Sequence, residues 1–151
     1  MKKIFIAIVL LTGVVLQSKS QNYPVIAKEY CDCFLKLKDT MDTEFRDLMI
    51  RVAKQTDVKA AFIKEMNGLD VAKQARLAGQ LEALGTSMDS EDTEAGRCGI
   101  ALDEKYEKYI DTAEKEKNFI TKITAEMKKS KDCEFIWAVS IFALVFGNEE
   151  D

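Results

Sequence analysis

Residues Phe135 to Phe146 read Phe-Ile-Trp-Ala-Val-Ser-Ile-Phe-Ala-Leu-Val-Phe, and Ser140 is the only polar side chain among them. Asp132 stands where a helix N-cap belongs and Gly147 where a C-cap belongs, so the pattern predicts one helix from about Cys133 to Phe146. A helix that is apolar on every side needs other helices around it. Its length, about 18 Å at about 1.5 Å per residue, falls short of the roughly 20 residues that cross a bilayer. It is therefore expected at the centre of the fold. The competing role is a segment that docks a partner or a membrane surface.

Amphipathic stripes run through the rest of the chain. Pro24, with Asn22 as a cap just upstream, starts a helix whose apolar positions are Ile26, Tyr30, Cys33, Phe34, Leu37, Met41, Phe45, Leu48 and Val52. The polar stretch Asp39 to Thr43 offers a restart, but the stripe passes through it, so residues 25–54 are expected as one element. Thr56 or Asp57 caps a shorter helix carrying Val58, Ala61, Phe62 and Met66, which Asn67 and Gly68 end. Asp70 to Leu84 follows with Val71, Ala75, Ala78, Leu81 and Leu84, its alanines suggesting close packing and Gly85 closing it.

Thr86 to Ser90 reads as a loop, and Ser90 caps a helix with Glu91, Asp92 and Glu94 in its first turn, where the macrodipole favours acids. That helix buries Ala95, Cys98, Leu102, Tyr106, Tyr109 and Ala113, while Gly96 and Gly99 imply that another backbone comes close. Phe119 or Ile120, Ile123 and Met127 resume the stripe after the charged run Glu114 to Lys117. No β-alternation of useful length appears. The expected class is all-α, a small four- or five-helix bundle around the apolar C-terminal helix.

The first twenty residues stand apart. Lys2 and Lys3 precede the apolar run Ile4 to Leu16, and Ser18 and Ser20 supply small residues for cleavage, so residues 1–20 are expected to be a signal peptide cut near Ser20. Residues 21–151 then form a single helical domain, exported to the periplasm or secreted. Cys31 lies too far downstream to carry a lipid, so no stable membrane anchor is expected. The leader holds three of the 22 basic residues, Lys2, Lys3 and Lys19, and none of the 26 acidic ones, so its removal takes the net charge from −4 to −7. Such a balance does not suit nucleic acid or an anionic membrane surface.

Cys31, Cys33, Cys98 and Cys133 are an even set in a chain expected to leave the cytoplasm, which argues for two disulfides. A metal site on all four thiolates fits less well, because only one end offers a close pair. Two positions apart on a helix, Cys31 and Cys33 point about 200° away from each other and so reach different partners, Cys98 and Cys133 in either order. Each closed loop exceeds sixty residues, worth more than about 4 kcal/mol per bridge in the chain-entropy model. A straight helix would hold Cys98 and Cys133 about 50 Å apart. The chain must therefore double back between them, with the turn expected around Asp111 to Asn118, near Lys115.

The absence of histidine removes Ser-His-Asp and Cys-His nucleophile pairs and imidazole metal sites. No glycine-rich nucleotide loop is present, and no cofactor is expected. The acids Asp89, Glu91, Asp92 and Glu94 lack the EF-hand glycine, and a helix N-terminus accounts for them without calcium. No catalytic set emerges. The functional expectation is a binding or interaction protein without catalytic activity, with a protein or an apolar small molecule as partner and Trp137, Phe142 and Phe146 as the candidate surface. The alternatives are a carrier holding a small apolar ligand in the bundle core and, third, an enzyme using carboxylates.

Overall fold

The computed structural model describes residues 22–146. The expected leader, its cleavage site and the expected cap at Gly147 lie outside the described residues. The helices are α1 (Tyr23–Phe34), the single turn α2 (Leu37–Thr40), α3 (Thr43–Ala53), α4 (Val58–Asn67), α5 (Val71–Asp89), α6 (Glu94–Tyr106), α7 (Ala113–Met127) and α8 (Glu134–Phe146). A 3-10 turn, Glu107–Tyr109, follows α6. Among the described residues there is no strand, and no helix is long and apolar enough to cross a membrane.

Side-chain caps set most of the boundaries. Asn22, Asp42, Asp57, Asp70, Thr93 and Thr112 each accept a hydrogen bond from a backbone N–H three residues on, satisfying an amide that the helix itself leaves open. Residues 25–54 are not one helix: the chain turns at Leu35 and Lys36 between α1 and α2, and Asp42 makes the second break. Its carboxylate takes the Phe45 amide at 2.8 Å, and Met41 before it is extended, so the chain breaks and restarts while Leu37, Met41 and Phe45 all remain buried.

Other expectations shift for similar local reasons. α5 does not close at Gly85, because that glycine stays out of the left-handed conformation and the helix runs on to Asp89. Of the segment expected as a loop, Thr86 to Ser90, all but Ser90 forms its last turn. The next helix is capped by Thr93 and not by Ser90, since the Thr93 hydroxyl reaches the Gly96 amide at 2.9 Å. The α5 face is also different: Leu77 and Leu84 alone are buried, whereas Val71 is 80% exposed and Ala75 and Ala78 face outward.

α8 lies at the centre, packed on α3, α7, α4 and α1. Phe135 to Val139 is a continuous buried run, with Phe135 edge-on to Phe45 at 6.4 Å between ring centroids. Each such buried side chain contributes roughly 1.5–3 kcal/mol. Two disulfides fasten α1 beside this centre: Cys31 bonds Cys133 and Cys33 bonds Cys98, with Cα–Cα distances of 5.6 and 5.7 Å. The two cysteines of the Cys-x-Cys pair thus reach opposite neighbours, α6 on one side and the start of α8 on the other.

The chain doubles back between Cys98 and Cys133 as that pairing requires, but earlier than the interruption in the apolar stripe suggests. The reversal occupies the 3-10 turn and residues 110–112, and Thr112 caps α7, so Lys115 sits in the first turn of a helix and pairs with Asp111 at 2.8 Å. Ala113 is accordingly exposed rather than buried. Gly96 has the close backbone expected of it, whereas the neighbour of Gly99 is a side chain. A Cβ at Gly96 would run into the Ser90 carbonyl, and one at Gly99 would stand 3.1 Å from the Phe34 ring of α1.

Candidate functional site

The C-terminal half of α8 emerges from its wrapping. Phe142 is still buried at 6% exposure, but Ala143 is exposed and Leu144, Val145 and Phe146 are only partly covered. Two clefts lie along this open side. One, of about 390 Å³, is lined by Met49 of α3, Phe62 of α4, Leu81, Leu84, Gly85 and Met88 of α5, and Val139, Phe142, Ala143 and Phe146 of α8. Among the described residues its only charged lining residue is Asp89.

The other cleft, of about 410 Å³, lies on the α1, α6 and α7 side. Its floor includes Phe34, Leu37, Phe119, Ile123, Ile136 and Val139. Met88, Asp89, Val139 and Ala143 line both clefts, so the two are lobes of one trough.

Aromatic stacking shapes the first lobe. Phe62 meets Phe142 edge-on at 5.3 Å and Phe146 at 5.9 Å, while Phe142 and Phe146 stack at 5.5 Å. Phe142 and Phe146, two of the three residues expected as an apolar surface, therefore stand together in the wall. Trp137 is elsewhere: it is 4% exposed, lines neither lobe, and has the Lys128 ammonium 5.5 Å from its ring centroid.

A tyrosine cluster braces the second lobe. Tyr30 of α1 donates to Asp103 of α6 at 2.9 Å, and Glu29 accepts from both Tyr106 (2.7 Å) and Lys105 (2.6 Å). The Tyr30, Tyr106, Tyr109 and Phe119 rings lie within 6.3 Å of one another in successive pairs. Burial, reinforced by the Asp103 carboxylate, pushes the Tyr30 hydroxyl well above the usual phenol range, so it remains a neutral donor. The hydrogen bond from Lys105, followed by that from Tyr106, holds Glu29 below the usual carboxylate range. These groups lock α1 to α6.

Ser140, the one polar residue of the apolar run, donates to the Ile136 carbonyl at 3.0 Å, so the trough floor carries no hydroxyl seeking a partner there. Among the described residues no three acidic or cysteine side chains gather into a group able to hold a metal ion. The acidic patch Asp89 to Glu94 is dispersed. Glu94 pairs with Lys36 at 2.6 Å, the Glu91 and Asp92 carbonyls accept from Arg97, and Asp89 turns to the trough.

Met88, Gly85 and Asp89 are absent from the surface expected on sequence grounds because Gly85 was read there as a stop. The signal available was Leu77, Leu84 and Met88, at spacings of seven and four, which continue one stripe past the glycine. No protein-family model matches the chain, and no significant similarity to a curated protein or to a solved structure is found.

Proposed function

We propose that this protein is an exported helical binding module, periplasmic or secreted after cleavage near Ser20, that acts without a catalytic step by taking an apolar surface into the trough beside α8. The observation that carries this reading is the uncovered end of α8, the most apolar helix among the described residues. Where a core helix is needed only for stability, its apolar sides are closed over; here Ala143 is exposed between two apolar lobes.

The carrier remains the second reading, supported by lobe volumes of about 390 and 410 Å³, within the range of small-ligand pockets. It is the weaker one, because both lobes open sideways and Trp137 borders neither. An enzyme is third. Asp89, Asp103 and Glu116 come from three different helices around the rim and form no cluster.

The test uses the neutral probe N-phenyl-1-naphthylamine, which fluoresces when it enters apolar surroundings. The wild type and Val71→Arg, altered at an exposed apolar position outside the trough, are expected to brighten it equally, and Ala143→Arg to abolish the signal. Equal brightening by all three proteins would remove the trough from consideration. Intact mass of protein recovered after export is expected to lack residues 1–20 and to contain no free thiol; a full-length mass with four thiols contradicts the export reading.

A further inference from the structure

We infer that the occupant of the trough is an amphipathic helix of a partner protein, apolar on one face and flanked by lysine or arginine. This rests on the binding reading above and adds the chemistry of the partner. The shape comes first. Along α8 the accessible residues of the trough run from Ser140 to Phe146, about 9 Å at about 1.5 Å per residue, which matches roughly two turns of a second helix laid against it, with Ile136 and Val139 buried beneath. Helix-in-groove recognition uses apolar anchors at intervals of three, four and seven residues, and two lobes joined at Met88, Val139 and Ala143 offer successive places for them. Ala143 at the joint and the bare face of Gly85 in the first lobe leave room for another backbone.

Charge decides the flanks. The charged residues lining the two lobes are Asp89, Asp103 and Glu116, and no lysine or arginine is among them. Elsewhere carboxylates and cations are interspersed: Glu29, Asp42, Glu44, Glu65 and Glu134 are tied to lysine or arginine, while Glu82, Glu104 and Glu114 are, like the rim acids, in no ion pair among the described residues. None of the three rim acids is in an ion pair among the described residues. Asp103 accepts from Tyr30 and Glu116 lies in the first turn of α7, where a carboxylate suits the helix. Asp89 has no such role. As the last residue of α5 it stands at the helix end where the macrodipole disfavours a negative charge, so a cation brought by the occupant would relieve it.

The same rim acts against the other occupants. A fatty-acid carboxylate or an anionic lipid would meet three carboxylates at the entrance. So would a second copy of this chain, which carries a net charge of −4 over its full length.

The experiment measures binding of three fluorescent model peptides of about 15 residues, with the same leucine face and with lysine, glutamine or glutamate on the flanks. Wild-type protein is expected to bind the lysine peptide best, the glutamine peptide less well and the glutamate peptide least, with added NaCl narrowing the differences. Asp89→Asn combined with Asp103→Asn and Glu116→Gln is expected to weaken the lysine peptide about tenfold, the scale of three exposed ion pairs, and to leave the glutamine peptide unchanged. Asp89→Asn alone, at an exposed position, is expected to give part of that loss.

Neutralising Glu82, Glu104 and Glu114, which lie outside the trough, serves as the control for net charge and is expected to have no effect. Equal binding of the three peptides overturns the inference, as does an equal loss in the rim and control variants. Failure of all peptides while the naphthylamine probe still enters and Ala143→Arg still blocks it removes the helical partner but leaves the trough as a site. If Ala143→Arg changes neither probe nor peptide, the binding reading falls as well.

Discussion

Deleting one disulfide at a time tests how the chain is clipped. The bridges are nested: Cys31–Cys133 spans 102 residues and Cys33–Cys98 spans 65 within it. Taken alone, the chain-entropy model assigns them about 4.7 and about 4.3 kcal/mol. In the intact protein, however, the inner bridge has already drawn most of the chain together. Closing the outer bridge then completes a ring of only 37 residues, the difference between the two separations, which lowers its worth to about 3.8 kcal/mol. The inner bridge, removed while the outer one remains, is worth about 3.4 kcal/mol by the same reasoning. Each single deletion therefore costs nearly the same. The assay is urea unfolding of Cys31→Ala/Cys133→Ala and of Cys33→Ala/Cys98→Ala, with midpoints and slopes compared to the wild type. A loss below about 1 kcal/mol in either double variant would refute the argument, because such a bridge would not be limiting the unfolded chain.

Other perturbations follow from single contacts. Phe142→Ala removes the ring that joins Phe62 to Phe146 and is expected to cost about 3 kcal/mol in chemical denaturation, at the lower end for such truncations because the adjoining cleft admits water. Gly79→Ala and Gly85→Ala are both expected to stabilise α5 by about 0.5–1 kcal/mol, since neither Cβ meets a neighbour, while only Gly85→Ala weakens binding of the lysine-flanked peptide. Gly99→Ala should lose that gain, because Phe34 must give way to the new methyl group. Glu29 has a folded pKa below its unfolded one, so its stabilising effect is fully present above the unfolded value and fades as pH falls through the folded one. Glu29→Gln is accordingly expected to flatten the acid side of the stability profile and to leave it unchanged in slope near neutrality.

Large apolar side chains made most of this fold legible. The Phe135 to Phe146 run, the α1 stripe and the cysteine pairing logic place α8 at the centre and α1 beside it, as the structure has them. The helix breaks were harder to read because they depend on one carboxylate or hydroxyl reaching one amide. Asp42 interrupts a stripe that a periodicity argument carries straight through, and Thr112 reverses the chain ahead of the charged run. The buried face of α5 is hard to read because alanine spacing says little about burial; Leu77 and Leu84 are its buried residues, with Met88 packed against the core beside them. The trough was legible in part. Phe142 and Phe146 were named from composition, whereas the acids on its rim come from three helices whose mutual placement no local pattern contains.

The central claim is that the open side of α8 is a binding surface, and mapping by nuclear magnetic resonance tests it most directly. Methyl-labelled protein is titrated with the lysine-flanked peptide. Shifts are expected at the methyl groups of Leu81, Met88, Val139 and Ala143, which line the trough, with Val71 and Ile63 unmoved on the exposed surface outside it. Shifts centred on Val71 and Ile63, with Met88 and Ala143 unmoved, would contradict the account.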